Sequence, residues 1–231
     1  MVKKFNMDKI IEKYLDNWLN MKVGRVTINC PYFANKIRNG KVILSGFMGG
    51  KGEYGEINRE LNKAVSANQK IANKLEIVKI ARRKRIGIDC SGFVFRFISE
   101  LIRIKYQNCS VTNLKKVWPN GIFRTNANNL TQGNQVMKVK SFSHSRLGDL
   151  IRVNNGRHVA VVIEEKNNMI TYIHSSKVTK ESGVHMGTIV VNDTNKTLEW
   201  LETTKDNINL GDKYFHPQDG DGIFRLKIFN P

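Results

Sequence analysis

Cysteine is scarce in this chain. Cys30, Cys90 and Cys109 are spread through 231 residues and no CxxC pair occurs. An odd, widely spaced set builds neither a disulfide framework nor a zinc ribbon. The fold is therefore expected to stand without disulfides. Proline is scarce as well: 4 prolines beside 18 glycines argue against low-complexity linkers. No apolar run approaches the ~20 residues needed to span a bilayer. The basic start Lys3-Lys4 is followed by Asp8, Lys9, Glu12, Lys13 and Asp16, which interrupt any signal-peptide core. That pattern predicts a soluble chain, cytoplasmic until released or exported by a non-standard route. Phosphate loops are missing too. Gly46-Phe47-Met48-Gly49-Gly50-Lys51-Gly52 is glycine-rich but matches neither GxxxxGK[ST] nor a strand–GxGxxG–helix unit.

Acidic residues are few against basic ones, 20 against 38, giving a net charge of +18. Long-range attraction would draw such a protein to polyanions: nucleic acid, anionic membrane or anionic wall polymers. The basic run Lys79, Arg82, Arg83, Lys84, Arg85 has no interleaved aromatics. Nucleic-acid recognition is therefore disfavoured, and a solvated face is the plain reading. A non-enzymatic polyanion-binding protein remains one reading of the charge.

The apolar content, 40% of residues, suits an ordered domain, and the length suits one. Ile10, Ile11, Tyr14, Leu15, Trp18 and Leu19 recur at helical spacing over 7–20. Residues 24–52 read as irregular or partly extended. Helical spacing returns over 55–79 and again over 90–106, where Phe93, Val94, Phe97, Ile98, Leu101 and Ile102 form a broad apolar face. Extended segments then dominate: Leu150–Val153, His158–Glu164, Met169–His174, Val184–Val191 and Ile223–Phe229. Asn154-Asn155-Gly156 is a hairpin signal between the first two. Helices followed by an antiparallel meander predict a single α+β domain. Its parts are an N-terminal helix and cleft segment (1–52), a basic helical insertion (53–86) and a core (87–231).

Cys90 lies where an extended approach, Gly87-Ile88-Asp89, gives way to the third helix. Free N–H groups and the dipole at a helix start favour a thiolate and can bind an oxyanion. Asp89 and Ser91 are natural capping residues there. A cysteine nucleophile needs a histidine, and five compete: His144, His158, His174, His185 and His216. His158 opens an apolar strand just after a tight turn, and His174 ends the next strand. The hairpin could bring both rings together, with His174 orienting His158. His144, His185 and His216 read as surface or structural. Asp149 reads as a turn cap before its strand, and Asp89 as fixing the nucleophile turn.

Asp89-Cys90-Ser91-Gly92-Phe93-Val94, Gly148-Asp149-Leu150, His158-Val159-Ala160-Val161-Val162 and Ile173-His174-Ser175 resemble the NlpC-type cell-wall cysteine peptidases and, more loosely, the related CHAP amidases. The resemblance covers about residues 86–176. It implies a papain-like α+β fold, with the nucleophile helix packed on an antiparallel sheet and extra helices before it. It further implies Cys90 as nucleophile, His158 as base, His174 as orienting residue and neither metal nor cofactor. The implied reaction is cleavage of amide bonds in peptidoglycan stem peptides through a thioester, with anionic wall polymer as a further partner. Ser91 and Tyr32 are the candidates for contacting substrate or its oxyanion. Phe47-Met48-Gly49-Gly50 competes with Tyr32 as the counterpart of the family's upstream cleft segment. The long stretch between Cys90 and His158 implies an insertion in 107–147. A papain-like amidase, deamidase or acyltransferase effector acting away from the wall is the alternative with the same thiol chemistry.

Overall fold

The computed structural model describes residues 2–67, 73–106, 114, 117–192 and 197–229, without the side chains of 2–7. Cys109 and most of 107–116 lie outside the described residues, as do parts of the insertion expected over 107–147. The architecture is α+β. Helices α1 (Val2–Leu19), α2 (Tyr54–Ser66), α3 (Lys74–Lys84) and α4 (Cys90–Tyr106) precede most of the strands. A seven-stranded antiparallel sheet follows. Its strands are β5 (Val136–Lys138), β6 (Leu150–Val153), β7 (His158–Lys166), β8 (Met169–Ser176), β9 (Gly183–Asn192), β10 (Thr197–Trp200) and β11 (Gly222–Leu226). The order across the sheet is β10-β9-β8-β7-β6-β11-β5. The meander β6 to β10 is thus unbroken, and β11 returns to the free side of β6. Among the described residues no helix is long and apolar enough to cross a membrane.

The apolar run at the start of β7 is explained by cover on both faces. Successive strand residues point to opposite sides. Val159 and Val161 join one apolar cluster with Phe93, Phe97 and Ile98 of α4. Ala160 and Val162 join a second with Tyr172, Ile189, Trp200 and Ile223. Beyond Val162 the second cover stops and exposed residues begin to alternate with partly buried ones. Helices α1 to α3 share the first cluster through Ile11, Leu15, Trp18, Ile57, Leu61, Ile77 and Ala81. Trp18 sets its ring edge-on to Phe93 at 5.5 Å, which seats the N-terminal helix on α4. Arg82, Arg83, Lys84 and Arg85 are exposed.

Two local expectations change. The segment 24–52 contains most of two small hairpins, β1–β2 (Met21–Val23, Val26–Ile28) and β3–β4 (Lys36–Arg38, Lys41–Leu44). The second bears almost wholly exposed side chains, so no buried alternation marks it in the sequence. Its signal is Asn39-Gly40, both at positive φ. The last strand ends at Leu226, and Lys227–Phe229 is a 3-10 turn. Asn154-Asn155-Gly156 does turn between β6 and β7, with all three residues at positive φ.

Candidate active site

Cys90 is held at the first position of α4 by the chain on either side of it. Ile88 is bridged to Tyr32, its N–H donating to Pro31 O at 2.9 Å. The Asp89 N–H then donates to Gly50 O at 3.0 Å, and Asp89 Oδ1 caps the helix by accepting from Gly92 N–H at 2.7 Å. Lys51, almost wholly buried, pairs with Asp89 Oδ1 at 2.7 Å and also donates to Ser91 Oγ. Gly92 is required by close approach: a Cβ there would lie 2.6 Å from Gly50 O and 2.9 Å from Lys51 Cδ. Gly50 thus braces the turn before Cys90, and Tyr32 reaches the cleft.

The cleft has a volume of about 120 Å³. Tyr32, Cys90, Arg157, His158, Lys177 and Tyr214 are among the residues that line it. Ser91 is placed otherwise than its expected substrate contact would need. Its hydroxyl is buried between Lys51, Asp89 and Thr125 O, because the first turn of α4 points it inward. Its backbone N–H and that of Val159 favour the charged form of the Cys90 sulfur.

The thiol is 8% exposed. Burial, with the Asp89 carboxylate next in weight, pushes its pKa up to about 12 against the pull of Lys51 and the two N–H groups. The helix start is therefore in place, but desolvation outweighs it in this closed cleft. His158 moves the other way. Burial first, then the neighbouring His174, lowers its pKa to about 3. The resting pair is a neutral thiol and a neutral imidazole.

His158 and His174 meet because of the strand register. Val161 of β7 faces Ile173 of β8; His158, three residues before the one, and His174, one after the other, therefore share the opposite face, in diagonal contact. His158 Nε2 lies 2.8 Å from His174 Nδ1. His174 continues inward. Its Nε2 is 3.2 Å from Glu202 Oε1 and 3.0 Å from Nε2 of His185, its direct cross-strand neighbour on β9. His185 Nε2 is 2.6 Å from the same Glu202 oxygen. Burial would raise the Glu202 pKa, yet hydrogen bonds and charge from both rings hold it well below the carboxylate range.

Donors and acceptors then fix the tautomers. His185 Nδ1–H must donate to Gly183 O, at 2.9 Å. A proton must also lie between His185 Nε2 and Glu202 Oε1, since two lone pairs would otherwise meet. His174 Nε2–H donates to Glu202, so His174 Nδ1 accepts from His158 Nε2–H. His158 Nδ1 is then the ring nitrogen left without a proton, on a residue that lines the cleft with Cys90. The Glu202 carboxylate thus sets the tautomer of His158 from two rings away.

Lys51, His185 and Glu202 escaped sequence reasoning. A lone buried lysine has no motif. His185 could be read only from the β8–β9 register, which places it opposite His174. Glu202 follows β10 and is held by the Tyr172 hydroxyl. The Tyr172 ring lies over Gly187, where a Cβ would come within 2.4 Å of it. His144 and His216 are not among the residues lining the Cys90 cleft.

Glu202→Gln is expected to lower kcat about 10²-fold or more with KM little changed, because Glu202 lines no part of the cleft and acts through ring protons. Steady-state kinetics checks this, and ¹⁵N spectra of His174 should show mixed tautomers. An unchanged kcat would remove Glu202 from the relay.

Comparison with protein-family models, with curated proteins and with solved structures returns no match.

Proposed function

We propose that the protein is a papain-like cysteine hydrolase of NlpC type that cleaves amide bonds in peptidoglycan stem peptides. The observation that carries this reading is that Cys90, at the head of α4, shares a cleft with His158, whose far nitrogen is bound by His174 at 2.8 Å. His158 Nδ1 takes the thiol proton as the sulfur attacks the scissile carbonyl. The tetrahedral oxyanion develops near the backbone N–H of Cys90 at the head of α4. The C–N bond breaks as His158 returns the proton to the leaving amine, and a thioester remains. Water, deprotonated by the same ring, releases the acid and frees the thiol. Pairing a neutral thiol with a neutral base keeps charge out of a closed site until substrate arrives.

The wall substrate is supported by the sequence resemblance and by charge. Arg157 and Lys177 are exposed on the rim of the cleft. They suit a peptide bearing carboxylates beside the scissile bond, and the net charge of +18 suits anionic wall polymer. The test is digestion of defined wall peptides by wild type and by Cys90→Ala, with products weighed by mass spectrometry. Stem-peptide fragments from wild type alone are expected. Undiminished turnover by Cys90→Ala would reject the nucleophile. Deamidated or acyl-transferred products alone would reject the wall substrate.

A further inference from the structure

We propose that His174, His185 and Glu202 form a binding site for a zinc-class divalent cation, and that filling it disables His158 as a base. The second half rests on the catalytic reading of Cys90 and His158; the first half does not.

Three ligand atoms converge in the sheet: Nε2 of each histidine and Oε1 of Glu202. Each ligand is also gripped from behind. His185 Nδ1–H is tied to Gly183 O at 2.9 Å, His174 Nδ1 to His158 at 2.8 Å, and Glu202 Oε2 to the Tyr172 hydroxyl. Outer partners of this kind orient imidazole and carboxylate ligands toward a metal. Two imidazoles with one carboxylate suit Zn²⁺ and its neighbours, whereas Ca²⁺ and Mg²⁺ prefer oxygen alone. Tetrahedral bonds of ~2.0–2.1 Å place ligand atoms roughly 3.3 Å apart. The pairs here stand at 3.2, 3.0 and 2.6 Å. The shortest is the pair that shares a proton, and a cation replacing that proton would spread it.

Access comes by a cavity other than the Cys90 cleft. A separate cavity of about 280 Å³ opens on His185 and Glu202, with Lys180 and Glu181 also in its lining. It gives an entry route and room for a water as fourth ligand. Both histidines are buried and Glu202 is partly so, so the cation would be largely desolvated and held by the protein.

Coordination reverses the relay. A metal on His174 Nε2 leaves that ring's one proton on Nδ1, where it donates to His158 Nε2. His158 then carries its own proton on Nδ1, facing the cleft, and has no lone pair for the thiol. Each of the two rings keeps one proton, moved to its other nitrogen. The proton shared by His185 and Glu202 is released to solvent.

The experiment uses full-length Cys90→Ala, so that the thiol cannot be a ligand. Chelator-treated protein is titrated with Zn²⁺ against a chromophoric chelator. One equivalent per chain is expected. It should persist in Cys90→Ala/His158→Ala and weaken at least 100-fold in Cys90→Ala/His185→Ala. No binding, or binding lost with His158 but kept without His185, overturns the site. Should the His185 variant fail to fold by circular dichroism, X-ray absorption of Zn²⁺-loaded Cys90→Ala decides: two imidazoles are expected, and any other number overturns the site. In wild type, one equivalent of Zn²⁺ should cut amide hydrolysis at least tenfold, with recovery on chelation. Binding at the site without that loss overturns the switch. A metal-free wild type that hydrolyses no amide fails the catalytic reading instead, and the titration still decides the site.

Discussion

Replacing Cys90 and His158 together by alanine is expected to cost no more activity than replacing either alone. Each single change should lower kcat/KM by roughly 10⁴-fold or more, since each removes a step the other cannot complete. Were the two independent, the double variant would lose about 10⁸-fold, or about 11 kcal/mol at 1.36 kcal/mol per factor of ten. The structure argues for a unit. The thiol sits with its pKa pushed up to about 12, so a free thiolate is a trace species at neutral pH, and on the proposed mechanism proton removal by His158 accompanies attack. Without the sulfur, His158 has no proton to take; without the ring, the sulfur stays protonated. The measurement is a double-mutant cycle on a defined wall peptide. A double variant far slower than both singles would show that the residues act separately. Equal loss with intact thermal unfolding in all three variants would establish the pair.

The relay beyond His158 shows where sequence reading succeeds and stops. The helix at Cys90 was legible because capping residues and an apolar face are local signals. The His158 strand was legible because both its faces are covered, which leaves an unbroken apolar run. The meeting of His158 with His174 needed one more fact, the hairpin register, which sets both rings on one face of two assigned strands. His185 required the register of a further pair of strands, across a connection with no short turn signal. Glu202 required that the chain after β10 bring a carboxylate to the Tyr172 hydroxyl. No spacing rule encodes that, because the contact depends on an aromatic ring filling the gap over Gly187. Lys51 was hidden for a different reason: a buried lysine is recognisable only beside its partner Asp89, and they are joined through space. The β3–β4 hairpin was missed because exposure on both faces removes the alternation that marks a strand.

Asp149 tests the same boundary from the stability side. Its place in Gly148-Asp149-Leu150 reads as a turn cap, and it does accept from Arg146 N–H at 2.8 Å. The larger part of its role lies across the sheet. Both carboxylate oxygens hold Arg225 on β11, at 2.7 Å to Nε and 2.6 Å to Nη2, with Asp149 1% exposed. The Asp149 hydrogen bonds raise the pKa of Arg225 despite burial. Asp149→Asn keeps the shape and much of the turn but leaves a guanidinium nearly buried without a counter-charge. Breaking such a pair from one side costs about 3–5 kcal/mol. For a domain of this size that is a fall in Tm of roughly 6–20 °C. Replacing both partners, Asp149→Leu with Arg225→Met, removes the two desolvation penalties together and should recover most of the loss. Thermal unfolding of the two single variants and the double measures the coupling. A Tm unchanged in Asp149→Asn with kcat lowered would instead put Asp149 in the chemistry. The expected outcome is the reverse, because Asp149 lines no part of the Cys90 cleft: a large loss of stability, and full activity per folded molecule.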